Sequence, residues 1–290
     1  MPSSDGRGGY DGYSLEAQDV MISAFYATYA DKDPEKVSLN DFPSYWSMLP
    51  NWDLNFDGLS NLSFIKKYFR SVSMRHSYKA VYTVGSYTTN YAYNADVASA
   101  AFIARDLQNN FIPKNDIASA NLNETFNPLL GFDIMFLNSL STRFDVRKSR
   151  NITLGLGNLQ MSENNTAEYI VGLGYVFNQV PITIKTPGGD TKRLQSDLKV
   201  NADLSIRDSK TLIRRIGEIE EDMQSANSLP VQASAGQNVT SIKLTADYKL
   251  SSNFTLTVFF DRVVNTPFVS TSYKNYNTNF GFSMRFMLVQ

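Results

Sequence analysis

The residue types that most often carry out chemistry in proteins are scarce in this sequence. Its 290 residues include one histidine, His76, and no cysteine. Zinc enzymes and serine hydrolases depend on histidine, and thiolate metal sites depend on cysteine. The acidic run Glu218–Asp222 has oxygen ligands for a cation, but its irregular spacing is more typical of a solvent-facing loop. We therefore predict no catalysis, no metal site and no cofactor.

Two Gly-Leu-Gly motifs do not predict a phosphate site either. They lie at 155–157 and 172–174, and no helix pattern follows either of them, as a phosphate-binding loop requires. Gly172 and Gly174 alternate with large apolar residues, which favours the concave face of a bending strand. His76 lies on the apolar parity of its strand, so we predict that it packs against neighbours.

The charged residues are balanced in sign: 27 are basic and 28 acidic, giving a net charge of -1. This balance gives no electrostatic reason to expect nucleic acid binding. Charged residues instead alternate with apolar ones, which is typical of β-strands with one wet and one apolar face. If the strands form a water-filled barrel, the charged residues predicted to face its lumen are Arg143, Asp145, Arg147, Asp197, Lys199, Asp203, Lys243, Asp247, Lys249 and Arg285.

The opposite parity supplies the residues predicted to face lipid or to pack. They are Trp52, Leu54, Phe56, Tyr169, Leu173, Tyr175, Leu244, Tyr248, Leu256, Phe260 and Phe282. Most alternating segments reach about 9–11 residues, the length that a tilted strand needs to cross a bilayer. Several apolar faces end in tyrosine or phenylalanine, as an aromatic girdle does. The pattern therefore favours an all-β fold: an antiparallel transmembrane β-barrel segment.

The elements that position these residues divide the chain in two. Residues 1–48 are predicted to form a lead with one short helix, over residues 14–30 and capped by Ser14, and an irregular segment. Residues 49–290 are predicted to contain about ten to twelve strands. We expect turns at 162–166 and 208–209 and a loop at 179–194. This strand count places long connections at both ends of the strands.

A bulge or a sheet edge is expected at Asn127-Pro128, because proline cannot donate to a strand ladder. The sequence has no run of about 18 apolar residues, so no transmembrane helix is predicted. Residues 1–13 lack the apolar core of a secretory signal. We therefore expect the chain to be a fragment of a longer one, and its strands to be part of a larger barrel.

Several ordered segments resemble one protein family. The longest is LPNWDLNFDGLSNLSFIKKYFRSVSMRHSYKAVYTVGSY at 49–87, followed by ETFNPLLG at 124–131, GLGY at 172–175 and SIKLTADY at 241–248. FDR at 260–262 and NTPFVSTSY at 265–273 continue the series. In these segments the chain resembles the C-terminal region of the SprA (Sov) family, the outer-membrane translocons of the type IX secretion system in Bacteroidetes.

The resemblance implies a place in a very large single-chain barrel, for which 36 strands is the upper bound known. It implies a cell-surface location in the outer membrane and a passive role in the export of folded proteins, including gliding motility adhesins. The implied partners are the remainder of the barrel chain, outer-membrane lipid, secreted client proteins, a plug protein and a PorV-type shuttle protein.

Two other hypotheses fit the residues without the resemblance. One is a complete smaller outer-membrane barrel of about twelve strands, such as a porin or transporter. The other is a secreted β-sandwich that binds carbohydrate or a surface partner. A sequence continuous with Met1 and upstream of it would separate a fragment from a small barrel, and dependence on detergent would separate either from a sandwich.

Overall fold

Nine antiparallel strands make up a single sheet in which each strand pairs with its neighbours in sequence. The computed structural model describes residues 10–29, 32–33, 39, 50–93, 105–185, 191–216, 235–251, 253–268 and 272–287. The strands are β1 (Trp52–Phe56), β2 (Phe69–Thr89), β3 (Asn115–Phe136), β4 (Leu140–Gly155), β5 (Gln160–Lys185), β6 (Thr191–Arg215), β7 (Ala235–Ser251), β8 (Phe254–Pro267) and β9 (Asn275–Phe286). The prediction of an all-β antiparallel fold is confirmed.

The strands are longer and fewer than the sequence predicts. The described residues form nine strands, not ten to twelve. The expected turn at 208–209 lies inside β6, where Asp208 and Ser209 pair with Ala167 and Thr166 of β5. The expected turn at 162–166 lies inside β5. Both turn predictions were wrong. The residues there are polar on both faces of the strand, but their backbone groups still pair with the neighbouring strands. The expected 179–194 loop is also mostly strand, because β5 continues to Lys185 and β6 begins at Thr191.

The N-terminal helix is shorter than predicted and packs on the sheet. Helix α1 spans Gln18–Tyr29, so Ser14 lies four positions before its start and does not cap it. Met21 packs with Ala120 of β3 and Leu154 of β4 in a buried cluster. The Gln18 side chain also accepts from the backbone N–H of β3 residue 117 and donates to the C=O of residue 115, both at 2.8 Å. The helix therefore covers one end of the sheet and forms hydrogen bonds with backbone groups of β3 there.

A bulge in β3 confirms the prediction at Asn127-Pro128. The register of β3 against β4 shifts between Phe126 and Leu130. Phe126 opposes Lys148 and Leu130 opposes Val146, so β3 contains two more residues than β4 between these pairs. Because the excess is an even number, residues of the same parity on β3 lie on the same face before and after the bulge.

A second bulge, in β5, changes the parity of the strand. Its register against β6 shifts between Phe177 and Val180, and Gln179 has a positive φ of 55°. Phe177 opposes Leu198 and Val180 opposes Ser196, so β5 contains one more residue than β6 between these pairs. The extra residue brings Val180 onto the face that carries Phe177.

The connections alternate between the two ends of the sheet, and the two longest, 90–114 and 216–234, lie at the same end. One end carries the connections 90–114, 156–159, 216–234 and 268–274, and is called the long-loop end. The other carries 57–68, 137–139, 186–190 and 252–253, and is called the short-turn end. The connection 57–68 contains a 3-10 helix (Gly58–Asn61) and the short helix α2 (Ser63–Lys66). Helix α1 lies at the long-loop end, where it packs on β3 and β4.

The sheet is open within the described residues. Strand β1 pairs there only with β2, and strand β9 only with β8. No helix in the described part of the chain is both long enough and apolar enough to cross a membrane.

Candidate functional site

The two faces of the sheet differ in chemistry, and the register shows which residues share each face. Directly opposed residues of antiparallel strands lie on the same face. Positive and negative side chains follow one another along one continuous row across the sheet. We call the face that carries this row the polar face. From β2 to β9 the row comprises Ser73, Asp133, Arg143, Gly172, Asp203, Lys243, Asp261 and Asn279.

The ten charged residues predicted to face a lumen all lie on the polar face. Three of them, Arg143, Asp203 and Lys243, belong to the row itself. The other seven share the parity of the row on their own strands. They are Asp145 and Arg147 on β4, Asp197 and Lys199 on β6, Asp247 and Lys249 on β7, and Arg285 on β9. Their exposure to a lumen stays a prediction.

Asp145 is the centre of a buried ion cluster on the polar face. Its side chain is only 1% exposed, and one oxygen lies 2.8 Å from Arg143 Nη2. Arg75 Nη2 lies 3.2 Å from the other oxygen, and Arg147 Nη2 lies 3.4 Å from the first. Arg75 also contacts Asp133 at 2.8 Å. Three guanidinium groups from two strands therefore converge on one carboxylate.

Glycines make room for the charged side chains. A Cβ atom at Gly131 would lie 2.7 Å from Asp145 Oδ1 and 2.8 Å from Pro128 Cγ. A Cβ at Gly172 would lie 2.7 Å from Asp203 Oδ1. The crowding shows that polar side chains lean over the glycine positions, which gives these glycines a packing role.

Side chains of neighbouring strands bind backbone groups at the bulges in β3 and β5. Asp197 Oδ1 accepts a hydrogen bond from the backbone N–H of Gln179 at 3.0 Å, inside the β5 bulge. At the β3 bulge, His76 Nδ1 lies 2.6 Å from Leu129 O, and the Ser77 hydroxyl donates to the C=O of residue 127. These contacts satisfy backbone groups that the bulges release from the ladder.

The other face carries a broad apolar surface, which we call the apolar band. Along the strand direction it comprises five rows of opposed residues. It extends on β5 from Tyr169 to Phe177, on β6 from Leu198 to Ile206 and on β8 from Leu256 to Val264. Many large side chains in it are exposed, including Leu173 and Phe282. The polar exceptions among the described residues of the band are Arg262, His76 and a few threonines.

The residues predicted to face lipid or to pack all lie on the face of the apolar band. Leu173, Leu244 and Phe260 occupy one row, and Tyr175 and Phe282 belong to the next. The remaining predicted residues are Trp52, Leu54 and Phe56 on β1, Tyr169 on β5, Tyr248 on β7 and Leu256 on β8. Tyr248 differs from the others because it is buried and donates to Val180 O at 2.8 Å.

Aromatic rings line both edges of the apolar band. At the long-loop edge, Trp52 stacks on Tyr78 with ring centroids 4.6 Å apart, and the Tyr78 ring lies 4.9 Å from the Phe126 ring. At the short-turn edge, the rings of Tyr175 and Phe177 lie 4.6 Å apart. Rings with a polar atom or edge suit the boundary between an apolar and an aqueous phase.

A second ion cluster, which the sequence does not predict, lies beyond the long-loop edge of the band. Arg150 Nε lies 2.9 Å from Glu163 Oε1, and its Nη1 lies 3.9 Å from Glu124 Oε2. The Tyr78 hydroxyl donates to Glu124 at 2.9 Å and lies 3.0 Å from the Tyr29 hydroxyl of α1. Burial raises the pKa of Tyr29 above its ordinary value. The alternation of apolar residues gives no signal for this cluster, because it lies where that alternation ends.

The predicted set of lumen-facing charges also omits three residues that the structure places on the polar face, namely Arg75, Asp133 and Glu168. Arg75 and Asp133 belong to the Asp145 cluster, and Glu168 Oε2 lies 3.7 Å from Arg147 Nη1. The parity of Arg75 along β2 is a usable signal for its place on the polar face.

A metal site is not seen in the described part of the chain. No group of three or more histidine, aspartate or glutamate side chains there could hold a metal ion. The acidic run Glu218–Asp222 lies outside the described residues.

Comparisons with known proteins add no family to this picture. No model of a known protein family matches the sequence, and no curated protein matches it significantly.

Proposed function

We propose that this chain is part of the wall of a large outer-membrane β-barrel through which folded proteins cross the membrane. The observation that carries the proposal is the pairing of an exposed apolar band with a charged face on the same open sheet. An exposed apolar surface of this extent is typical of a membrane or protein interface. The polar face then lines the lumen.

The dimensions of the apolar band support a bilayer. The segment Tyr169–Phe177 spans about nine residues, which is the length of a tilted transmembrane strand. Aromatic rings at both edges correspond to the girdles of such barrels. Open edges would leave backbone groups unpaired in lipid, so β1 and β9 need further strands as partners.

The resemblance to the SprA family supplies the finer part of the proposal. On that basis the remaining strands belong to the same long chain, and the transported clients are secreted proteins of type IX secretion and gliding motility. A plug protein and a PorV-type shuttle protein are the proposed gating partners. The proposed conduit is passive: mixed charges on the lumen wall avoid trapping clients of either sign.

Adjacent residues on β7 test the proposal, because the chain has no native cysteine. Lys243→Cys and Leu244→Cys place thiols on opposite faces. In permeabilised cells, we expect a water-soluble maleimide to label Lys243→Cys and to leave Leu244→Cys protected until detergent is added. A bulky maleimide on Lys243→Cys should also reduce the export of secreted proteins.

The labelling of Leu244→Cys tests whether the sheet lies in a membrane, and the export measurement tests whether proteins pass along its polar face. Equal labelling of both cysteines before detergent would show that the apolar band is not in lipid. Protection of Leu244→Cys combined with unchanged export would keep the membrane wall and reject protein conduction.

A further inference from the structure

A surface depression of about 410 Å³ lies directly beyond the long-loop edge of the apolar band, on the same face. Strand β4 contributes Lys148 and strand β6 contributes Lys210 to its lining. Strand β5, which runs between them, contributes the small residue Ala167, and Phe126 of β3 adds an aromatic wall. Two long cationic side chains therefore flank a shallow site next to an apolar surface.

The arginine that lines this depression forms ion pairs with carboxylates, whereas its two lysines do not. Arg150 contacts Glu163 at 2.9 Å and Glu124 at 3.9 Å. Neither Lys148 nor Lys210 forms an ion pair with a carboxylate of the described residues. Lys210 Nζ instead lies 5.3 Å from the centre of the Phe268 ring. The lining thus has two ammonium groups available to an anion.

Two carboxylates also line the depression, and they differ in their partners. Glu124 is engaged by Arg150 and by the Tyr78 hydroxyl. Asp208 opposes Ala167 in the register, in the same row as Lys148, and accepts a hydrogen bond from the neutral Asn238 side chain at 3.0 Å. An anion bound by the two lysines would be repelled by Asp208, so neutralisation of Asp208 should strengthen binding.

We propose that this depression binds the phosphorylated head group of a membrane lipid through Lys148 and Lys210. Lysine is a common phosphate ligand that acts as a point charge. The first row of the band, next to the depression, contains Val146, Tyr169 and Ile206, so acyl chains of the same lipid can continue along the apolar surface. The inference rests on the proposed function, because lipid reaches this face only if the apolar band lies in a bilayer.

The test measures binding of diphosphorylated lipid A to the full chain purified in a neutral detergent. The variant carries Lys148→Gln and Lys210→Gln, and the matched control carries Lys199→Gln and Lys243→Gln on the polar face. We expect the first pair to weaken binding about tenfold or more, and the control pair to leave it within about twofold. Asp208→Asn should tighten binding.

Two comparison ligands identify the source of the phosphate. Dephosphorylated lipid A should bind wild type as weakly as the double variant binds the phosphorylated lipid, and inorganic phosphate should compete only at much higher concentration. Equal binding of both lipids, competition by inorganic phosphate at the concentration of the lipid, or an unchanged affinity in the lysine double variant would overturn the lipid site. Leu244→Cys labelling in permeabilised cells tests the proposed function separately, because free labelling before detergent rejects the membrane. Protection of Leu244→Cys combined with unchanged lipid affinity in the lysine double variant rejects only this site.

Discussion

At the scale of single residues, Asp145 is the most buried charged residue among those that the structure describes on the polar face. Its carboxylate is buried, while the side chains of the three arginines that contact it are 32–45% exposed. The carboxylate therefore depends on its partners for the solvation that it lost on burial. The arginines retain contact with water, so removal of Asp145 leaves them charged and partly solvated.

We predict that Asp145→Asn lowers the free energy of unfolding by about 2–3 kcal/mol, somewhat less than for a fully buried ion pair. The matched control is Asp133→Asn, because Asp133 is 45% exposed and contacts Arg75 alone among these arginines. The control should change stability by about 1 kcal/mol or less. Denaturant unfolding in detergent micelles measures both, and equal losses in the two variants would contradict a central role for Asp145.

The sequence predicts the faces of residues better than their partners. Parity along β4 is enough to place Arg143, Asp145 and Arg147 together. It does not show that Arg75 reaches Asp145, because that contact depends on the register across β3, which contains the bulge. Contacts between strands are set by bulges and turns, which alternation within one strand does not specify.

At the scale of elements, the bulges are held by side chains from other strands. Tyr248 of β7 reaches across β6 to Val180 O of β5, the first residue to pair again after the bulge. A buried carbonyl without a donor costs free energy comparable to a lost hydrogen bond. Tyr248 therefore stabilises the irregular part of β5.

We predict that Tyr248→Phe lowers the free energy of unfolding by about 1–2 kcal/mol, since it leaves the Val180 carbonyl without this donor. Tyr169→Phe is the matched control, because Tyr169 lies on the same face and is exposed. It should change stability by less than about 0.5 kcal/mol. Denaturation midpoints of both variants under identical conditions decide the question, and a neutral Tyr248→Phe would remove the bulge contact as a stabilising element.

Strand ends are the elements that the sequence predicts least well. Where the apolar band stops, β5 and β6 continue with polar residues on both faces, as at Thr166 and Ser209. Polar clusters of this kind are also typical of turns. Their assignment to strands depends on ladder pairing with a neighbour, which is a property of the sheet and not of the local sequence.

At the scale of the whole molecule, the strand count determines how the connections are distributed. Ten to twelve strands would place long connections at both ends of the sheet. With nine strands, the two longest connections, 90–114 and 216–234, lie at the same end, and the other end carries 57–68, 137–139, 186–190 and 252–253. Outer-membrane barrels have long extracellular loops and short periplasmic turns. The long-loop end is therefore the proposed extracellular end.

We predict the sidedness of the sheet from this distribution. Asn158 and Asn138 are exposed residues in the connections that follow and precede β4, at opposite ends of the sheet. In intact cells, a membrane-impermeant maleimide should label Asn158→Cys, and it should label Asn138→Cys only after the outer membrane is permeabilised. The absence of native cysteine keeps the background low. The reverse order of labelling would invert the proposed orientation and would place the depression lined by Lys148 and Lys210 in the periplasmic leaflet. Labelling of both cysteines in intact cells would reject a membrane between the two ends.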